Sequence, residues 1–244
     1  MAGLTSGHVH TRQRLSWPFE AHILLNPWQI IGFDANLVVS EPQSKVAFHR
    51  FMTSKTDIHR QRLVNALAHF AAKVRHPRKV KMFKLLFFLD FYHFRETGLP
   101  VTDTSYFAWE FGPVPKDLFE ELEQGKVPED LNELVAIIRE EREDGRPSYR
   151  FALRPKRKPD LSVFTPRQLR ILGELVEVFR DATGSQMSEV THLLNSPWDR
   201  TRKEKGDYKE IDYLLAIDSD APISAEEAKE TYEEHREFLR NLAS

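Results

Sequence analysis

Residues 79–97 read KVKMFKLLFFLDFYHFRET, and this stretch decides the fold. It is apolar on nearly every side through residues 85–89, which is typical of a helix buried in the middle of a protein. Gly98, with a proline two residues later, follows in the order that usually ends a helix. Polar side chains interrupt its most apolar part, which is also shorter than the about 20 residues needed to cross a bilayer. The sequence therefore predicts a central helix with Leu86 and Phe88 in the core.

Further helices are predicted on both sides of this stretch. Apolar residues recur at helical spacing over residues 63–74, and Asp57 can cap that helix at its start. A capping box at residues 165–168 begins another helix, and Ser185 can cap the next one. A second capping box at residues 224–227 opens a final helix. These signals predict a compact, mainly α-helical domain.

A small antiparallel β element is predicted between the helices. Residues 106–111 alternate, with three aromatic side chains on one face of an extended segment. The sequence GPVP at residues 112–115 breaks that segment and is interpreted as a structural turn. Residues 134–138 and 149–153 surround a turn signal and are typical of a hairpin. The predicted fold class is therefore mainly α with a minor β component.

Charged residues occur in blocks, although the net charge of the 244 residues is only −2. Residues 58–89 carry eight basic side chains and no acidic one, whereas residues 116–144 carry eleven acidic and four basic ones. Residues 145–159 carry six basic side chains and no acidic one. We interpret these blocks as surfaces that face each other or the solvent. The alternative is a polarised surface that steers a charged partner.

No motif for chemistry is recognisable in the sequence. Cysteine is absent, which excludes a disulfide, a thiolate metal site and a cysteine nucleophile. Neither a phosphate-binding glycine pattern nor HExxH occurs. We predict no catalytic residue, no metal, no cofactor and no membrane partner. Two alternatives stay open: an enzyme with an acid–base site at His93 or His192, and a DNA-binding regulator that contacts phosphates through the basic residues 75–84 or 154–158.

Three segments in register resemble the SocA-like, or Panacea, domain of antitoxins. Residues 84–102 are similar to its KLLYFAD…G.PIT opening, and residues 106–115 to its Y.A...GPVP segment. Residues 169–198 are similar to its closing helix and TH…PW corner. The resemblance covers residues 57–199 and implies a compact, mostly helical fold with a small sheet. Family members, some of them phage-associated and described as GepA-like, neutralise a toxin by binding it.

The resemblance implies a cytoplasmic antitoxin whose partner is a cognate protein toxin. In one branch of the family a cytoplasmic protease is a second partner, to which the antitoxin delivers its toxin. The candidate partner-binding residues are Trp109, Arg154, Lys156, Arg157, Lys158, Tyr232 and Phe238. The residues expected to hold the motifs together are Leu86, Phe88, Asp90, Gly112, Pro113, Val114 and Trp198. Phe111 and Trp198 are expected in the core, since large aromatic side chains are mostly buried.

Three parts are expected along the chain. Residues 1–51 contain three prolines and no sustained period, and we expect a poorly ordered, dispensable extension that precedes a natural start at Met52. The rival interpretation is an accessory segment that contacts a partner. Residues 52–208 are expected to form the Panacea domain, and residues 209–244 a helical tail.

Overall fold

The computed structural model describes residues 55–125, 127–141, 145, 147–193 and 195–243, so the predicted extension at residues 1–51 lies outside it. The described chain is mainly helical with two antiparallel two-stranded sheets, which confirms the predicted fold class. None of its helices is long and apolar enough to span a membrane. The helices are α1 (Lys55–Lys73), α2 (Lys79–Thr97), α3 (Lys116–Glu123), α4 (Glu129–Leu134), α5 (Pro166–Phe179), α6 (Gly184–Thr191), α7 (Pro197–Lys205) and α8 (Ala225–Ala243). The strands are β1 (Tyr106–Trp109), β2 (Gly112–Pro115), β3 (Val135–Glu141) and β4 (Pro147–Leu153).

Helix α2 is the predicted central helix, and its bounds are those that the sequence pattern indicates. Every residue from position 81 to position 94 is buried, and Leu86 and Phe88 are 0% and 1% exposed. Gly98 ends the helix with a φ of 72°, and its backbone N–H donates to the carbonyl of Phe94 at 2.8 Å. Helices α1, α5, α6 and α8 and strands β2 and β4 all pack against α2. The core is therefore built around this one helix.

The buried carboxylate of Asp90 fixes the chain that follows α2. One of its oxygens accepts the backbone N–H groups of Val101 and Thr102 at 2.8 and 2.7 Å. The other oxygen accepts the hydroxyls of Thr102 and Tyr106 at 2.5 and 2.7 Å. Burial raises the pKa of Asp90 to about 6, although these four hydrogen bonds favour the ionised form. Asp90 thus ties α2 to the loop behind it and to the start of β1.

Residues 112–115 form strand β2, so their interpretation as a turn was wrong. They pair antiparallel with β1, from Tyr106 opposite Pro115 to Trp109 opposite Gly112. The other side of β1 pairs with residues 208–211, which leaves β2 at the edge. Proline is tolerated at an edge because its missing N–H faces away from the ladder. The two prolines that indicated a break therefore occupy an edge strand.

The second hairpin is present and longer than predicted. Strand β3 pairs with β4 from Val135 opposite Leu153 to Glu141 opposite Pro147. Leu134 belongs to α4 instead of the strand. Helices α4 and α7 were not predicted, because their sequences, EDLNEL and PWDRTRKEK, contain too few apolar residues to show a helical period.

Side-chain caps define where the later helices begin. The capping boxes predicted at residues 165–168 and 224–227 are both formed. Helix α6 is capped by Thr183, in a third capping box, so the prediction of Ser185 as its cap was wrong. The described part of α1 starts at Lys55, and Asp57 lies within it.

The basic block on α1 and α2 faces the acidic block that follows β2. Arg60 contacts Glu121 at 3.0 Å and Asp130 at 2.7 Å, and Lys79 contacts Glu123 at 2.6 Å. Each of these side chains is partly exposed, so each pair contributes little to stability. The interpretation of the blocks as surfaces that face each other is confirmed for these pairs.

Candidate partner-binding site

The β1–β2 hairpin directs three of its four aromatic side chains, those of Phe107, Trp109 and Phe111, away from the core. Tyr106 and Ala108 point into the core and are both 0% exposed. Phe107 and Trp109, on the opposite face, are half-buried, and Phe111 in the turn is 64% exposed. The expectation of Phe111 in the core was wrong, because the residue lies beyond the end of the strand and no element covers it within the described chain.

A groove of about 330 Å³ lies beside this hairpin, between α2 and α3. We call it the aromatic groove. Phe111 and Tyr208 form its exposed rim, at 64% and 61% exposure. Trp109 contacts Phe119 and Tyr208 edge-on, with ring centroids 4.7 and 5.7 Å apart. Its apolar lining includes Val80, Trp109, Phe111, Val114, Phe119 and Tyr208.

A buried lysine anchors the hairpin to α2. Lys84 is 2% exposed, and its Nζ donates to the carbonyl of Phe111 at 2.6 Å. Burial lowers the pKa of Lys84 to about 7. Gly112 has a φ of +108°, and a Cβ atom there would lie 2.5 Å from Nζ of Lys84 and 3.0 Å from Oγ1 of Thr191. The glycine is thus needed both for its backbone conformation and for the close approach of the lysine.

Trp198 supports the groove from behind. It is 6% exposed, as expected for a core residue, and its Nε1 donates to the carbonyl of Trp109 at 2.8 Å. His192 stacks on it with a centroid separation of 3.8 Å, and the guanidinium of Arg202 lies 4.8 Å from the ring. Burial and the nearby charges of Lys84 and Arg202 lower the pKa of His192. The lowered pKa favours the neutral form of this imidazole.

The two histidines of the enzymatic alternative serve different parts of the fold. His93 is 7% exposed, and its Nδ1 donates to the carbonyl of Leu99 at 2.6 Å, which ties the end of α2 to the next loop. It lies nine residues along α2 from Lys84, about 13 Å. Since His192 packs near Lys84, the structure does not bring the two imidazoles together.

Part of the basic block considered for nucleic-acid binding is buried in the fold. Lys81 is 0% exposed, and its Nζ donates to the carbonyls of Arg75, Arg180 and Ala182 at 2.8, 2.9 and 2.8 Å. It therefore satisfies carbonyl groups at the end of α5. Lys84 is buried as well. Two of the five Lys and Arg side chains at residues 75–84 are thus unavailable for binding phosphate.

The other predicted partner-binding residues lie on two further surfaces. In the connector after β4, Arg154 is half-buried and donates to Asn132, whereas Lys156, Arg157 and Lys158 are exposed. On α8, Tyr232 packs edge-on against Phe94 and Tyr213, with centroids 5.3 and 5.8 Å away. Phe238 is 41% exposed.

Sequence reasoning identified Trp109 but missed its neighbours in the groove. The alternation of residues 106–111 placed Phe111 on the same face as Trp109, and this signal could have identified Phe111 as part of the groove. Tyr208 has no local signal, because it reaches the groove only through pairing with β1. Its backbone N–H donates to the carbonyl of Ala108 at 2.9 Å.

Comparison with protein families matches residues 82–199 to the model of the antitoxin SocA-like, Panacea domain. This match confirms the resemblance that the sequence motifs indicated. Comparison with curated proteins and with solved structures gives no significant match. Lys84, Trp109 and Phe111 lie inside the matched range, whereas Val80 and Tyr208 lie outside it.

Proposed function

Because residues 82–199 carry an antitoxin SocA-like, Panacea domain, we propose that this protein is a cytoplasmic antitoxin that neutralises a cognate toxin by direct binding. Neutralisation of this kind needs a stable scaffold and an exposed surface. A chain without cysteine is also unaffected by the reducing conditions of the cytoplasm.

The aromatic groove is the surface that we propose for the toxin. It combines a half-buried tryptophan with two rings, Phe111 and Tyr208, that are each more than half exposed. Aromatic side chains that fill pockets carry most of the energy of typical protein interfaces. The hairpin beneath the groove is held by Lys84 and Trp198, so its shape is formed before the partner arrives, which lowers the ordering cost of binding.

The connector and α8 are proposed as secondary contacts. Lys156, Arg157 and Lys158 are exposed and supply positive charge that attracts an acidic partner over a distance. Phe238 adds an exposed ring on α8, whereas Tyr232 belongs mainly to the packing of that helix.

Removal of the groove's exposed rings is expected to abolish tight toxin binding. Phe111→Ala and Tyr208→Ala should each weaken the Kd by about 30-fold or more, the effect of an interface hot spot. Folding should be unaffected, because both side chains are largely exposed. Calorimetric titration with the cognate toxin measures the Kd, and growth rescue in cells that express the toxin measures neutralisation.

Matched controls locate the contact. Leu169→Ala removes a 37% exposed apolar side chain from α5 and should leave the Kd unchanged. Reversal of charge at Lys156, Arg157 and Lys158 should mainly slow association and change its salt dependence. If both groove variants bind with wild-type affinity and the charge-reversed variant does not, the toxin binds the connector and not the aromatic groove.

An experiment with the purified antitoxin and toxin distinguishes direct inhibition from delivery to a protease. Direct binding predicts that the antitoxin alone suppresses the toxin in a purified system. If suppression requires a cellular protease and toxin lifetime falls when the antitoxin is present, the adaptor mode applies instead.

A protein that acts by binding should tolerate loss of its histidines. His93→Gln and His192→Asn remove any acid–base role, and growth rescue is expected to persist wherever circular dichroism shows a folded variant. An enzyme relying on either residue for general acid–base catalysis would lose about 10²–10⁴-fold in rate. Rescue lost in a well-folded variant would favour the enzymatic alternative.

A further inference from the structure

Three metal-ligating side chains from distant parts of the chain meet beside α8. They are His59 on α1, Asp103 in the loop after α2, and His235 on α8, and their ligand atoms all lie within 4.8 Å of one another. The two imidazole rings are 5.3 Å apart between centroids and inclined by 72°. Two imidazoles and one carboxylate are a donor set typical of Zn²⁺.

The surroundings orient two of these ligands. Nδ1 of His59 donates to the carbonyl of Val101 at 3.0 Å, which leaves the lone pair of that ring on Nε2. Ligating histidines usually make such a second hydrogen bond, since it fixes the tautomer and the ring. Asp103 has a φ of +52°, a backbone conformation that is uncommon outside glycine and that often marks functional sites.

The Asp103 carboxylate faces α8. Its ligand oxygen lies within 4.8 Å of a ring nitrogen of His235, which α8 carries. The three ligands connect segments that are separated by more than 40 residues along the chain.

We propose that His59, Asp103 and His235 bind a divalent transition-metal ion of the Zn²⁺ type, which fastens the second half of α8 to α1. Neighbouring ligands of tetrahedral Zn²⁺ are about 3.3 Å apart for bonds of about 2.0 Å. The three side chains need to close by no more than about 1.5 Å to reach that spacing. Water occupies the fourth position.

A bound metal ion has a structural role in the second half of α8. The first half of the helix packs closely, with Ala228 against Gly98 and Tyr232 against Phe94. Beyond Tyr232 most of the described side chains are exposed, and His235 and Leu239 are the half-buried ones. An ion bound through His235 holds the part of the helix in which most of the described side chains are exposed.

Titration of the metal-free, full-length protein with ZnCl₂ tests the site. Calorimetry should show a saturable event, and the melting temperature should rise by about 5–10 °C at a Zn²⁺ concentration 100-fold above the Kd. Co²⁺ should bind with the visible absorption of a four-coordinate site. Absence of saturable binding would overturn the proposal.

Two variants show where the metal binds. His235→Gln and Asp103→Asn are each expected to weaken Zn²⁺ binding at least about tenfold and to remove the thermal shift. Asn tolerates the backbone conformation of Asp103, so the loop should persist in that variant.

The control His69→Gln changes another histidine of α1 and should bind Zn²⁺ like the wild type. An undiminished event in both site variants would place the ion on other histidines and overturn the proposal. Neither readout involves a toxin, so the outcome is independent of the proposed function.

Discussion

Leu86→Ala and Phe88→Ala are each expected to destabilise the protein by about 2–5 kcal/mol, from lost burial together with the cavity left behind. Both side chains are buried, at 0% and 1% exposure, in the helix around which the core is built. Phe88 stacks between Tyr92 and Phe179, with centroids 5.6 and 5.2 Å away. Either loss is a large part of a typical stability of ~5–15 kcal/mol. Urea and thermal unfolding followed by circular dichroism measure it.

Val80→Ala is the matched control on the same helix. Val80 is 39% exposed, so its truncation should change stability by no more than about 0.5 kcal/mol. Leu86→Ala and Phe88→Ala should lose the proposed toxin neutralisation through unfolding and regain it at lower temperature, because neither side chain reaches the surface. If both core variants melt at the temperature of the wild type, the assignment of α2 as the central helix is wrong.

Asp90→Ala is expected to cost about 3–5 kcal/mol, because it leaves four buried donors without their acceptor. An unsatisfied buried donor costs about 1–3 kcal/mol, and part of the loss is recovered as the site relaxes or admits water. Chemical denaturation monitored by tyrosine and tryptophan fluorescence measures the change. A loss below about 1 kcal/mol would show that the network does not hold the loop after α2.

Asp90→Asn is the conservative comparison. Its carbonyl oxygen can still accept the N–H groups of Val101 and Thr102, while the two hydroxyls rotate to accept from its amide, so at least half of the loss should be recovered. The variant also tests the ionisation of Asp90. Its pKa in the folded protein is raised to about 6 from an ordinary 3.8, so its contribution to stability is full below about pH 4 and decreases as pH rises through about 6. Asp90→Asn should remove that decrease.

The helical part of the fold is largely contained in local patterns. The sequence of residues 79–97 predicts the bounds of α2, because the apolar run and Gly98 are local signals that do not depend on distant parts of the chain. The capping boxes at residues 165–168 and 224–227 are likewise local, since the two side chains involved are three positions apart. Helix α7 also has local signals, a cap at Ser196 and a proline at its first position, which the sequence interpretation did not use. Helix α4 has no side-chain cap.

The groove and the metal ligands depend on contacts that no local pattern contains. Proline at positions 113 and 115 indicates a break unless the strand is known to lie at an edge. The exposure of Phe111 is decided by which elements cover the hairpin. His59 and His235 are 176 positions apart, and only the docking of α8 beside α1 brings their rings together.

The contact between Lys84 and Gly112 restricts how this sequence can change over generations. Any side chain at position 112 would collide with Nζ of Lys84, and it would also have to adopt a φ of +108°. A shorter residue at position 84 would first have to give up the hydrogen bond to Phe111 and loosen the hairpin. Each single step therefore passes through a less stable protein, so the two positions are expected to drift together or not at all.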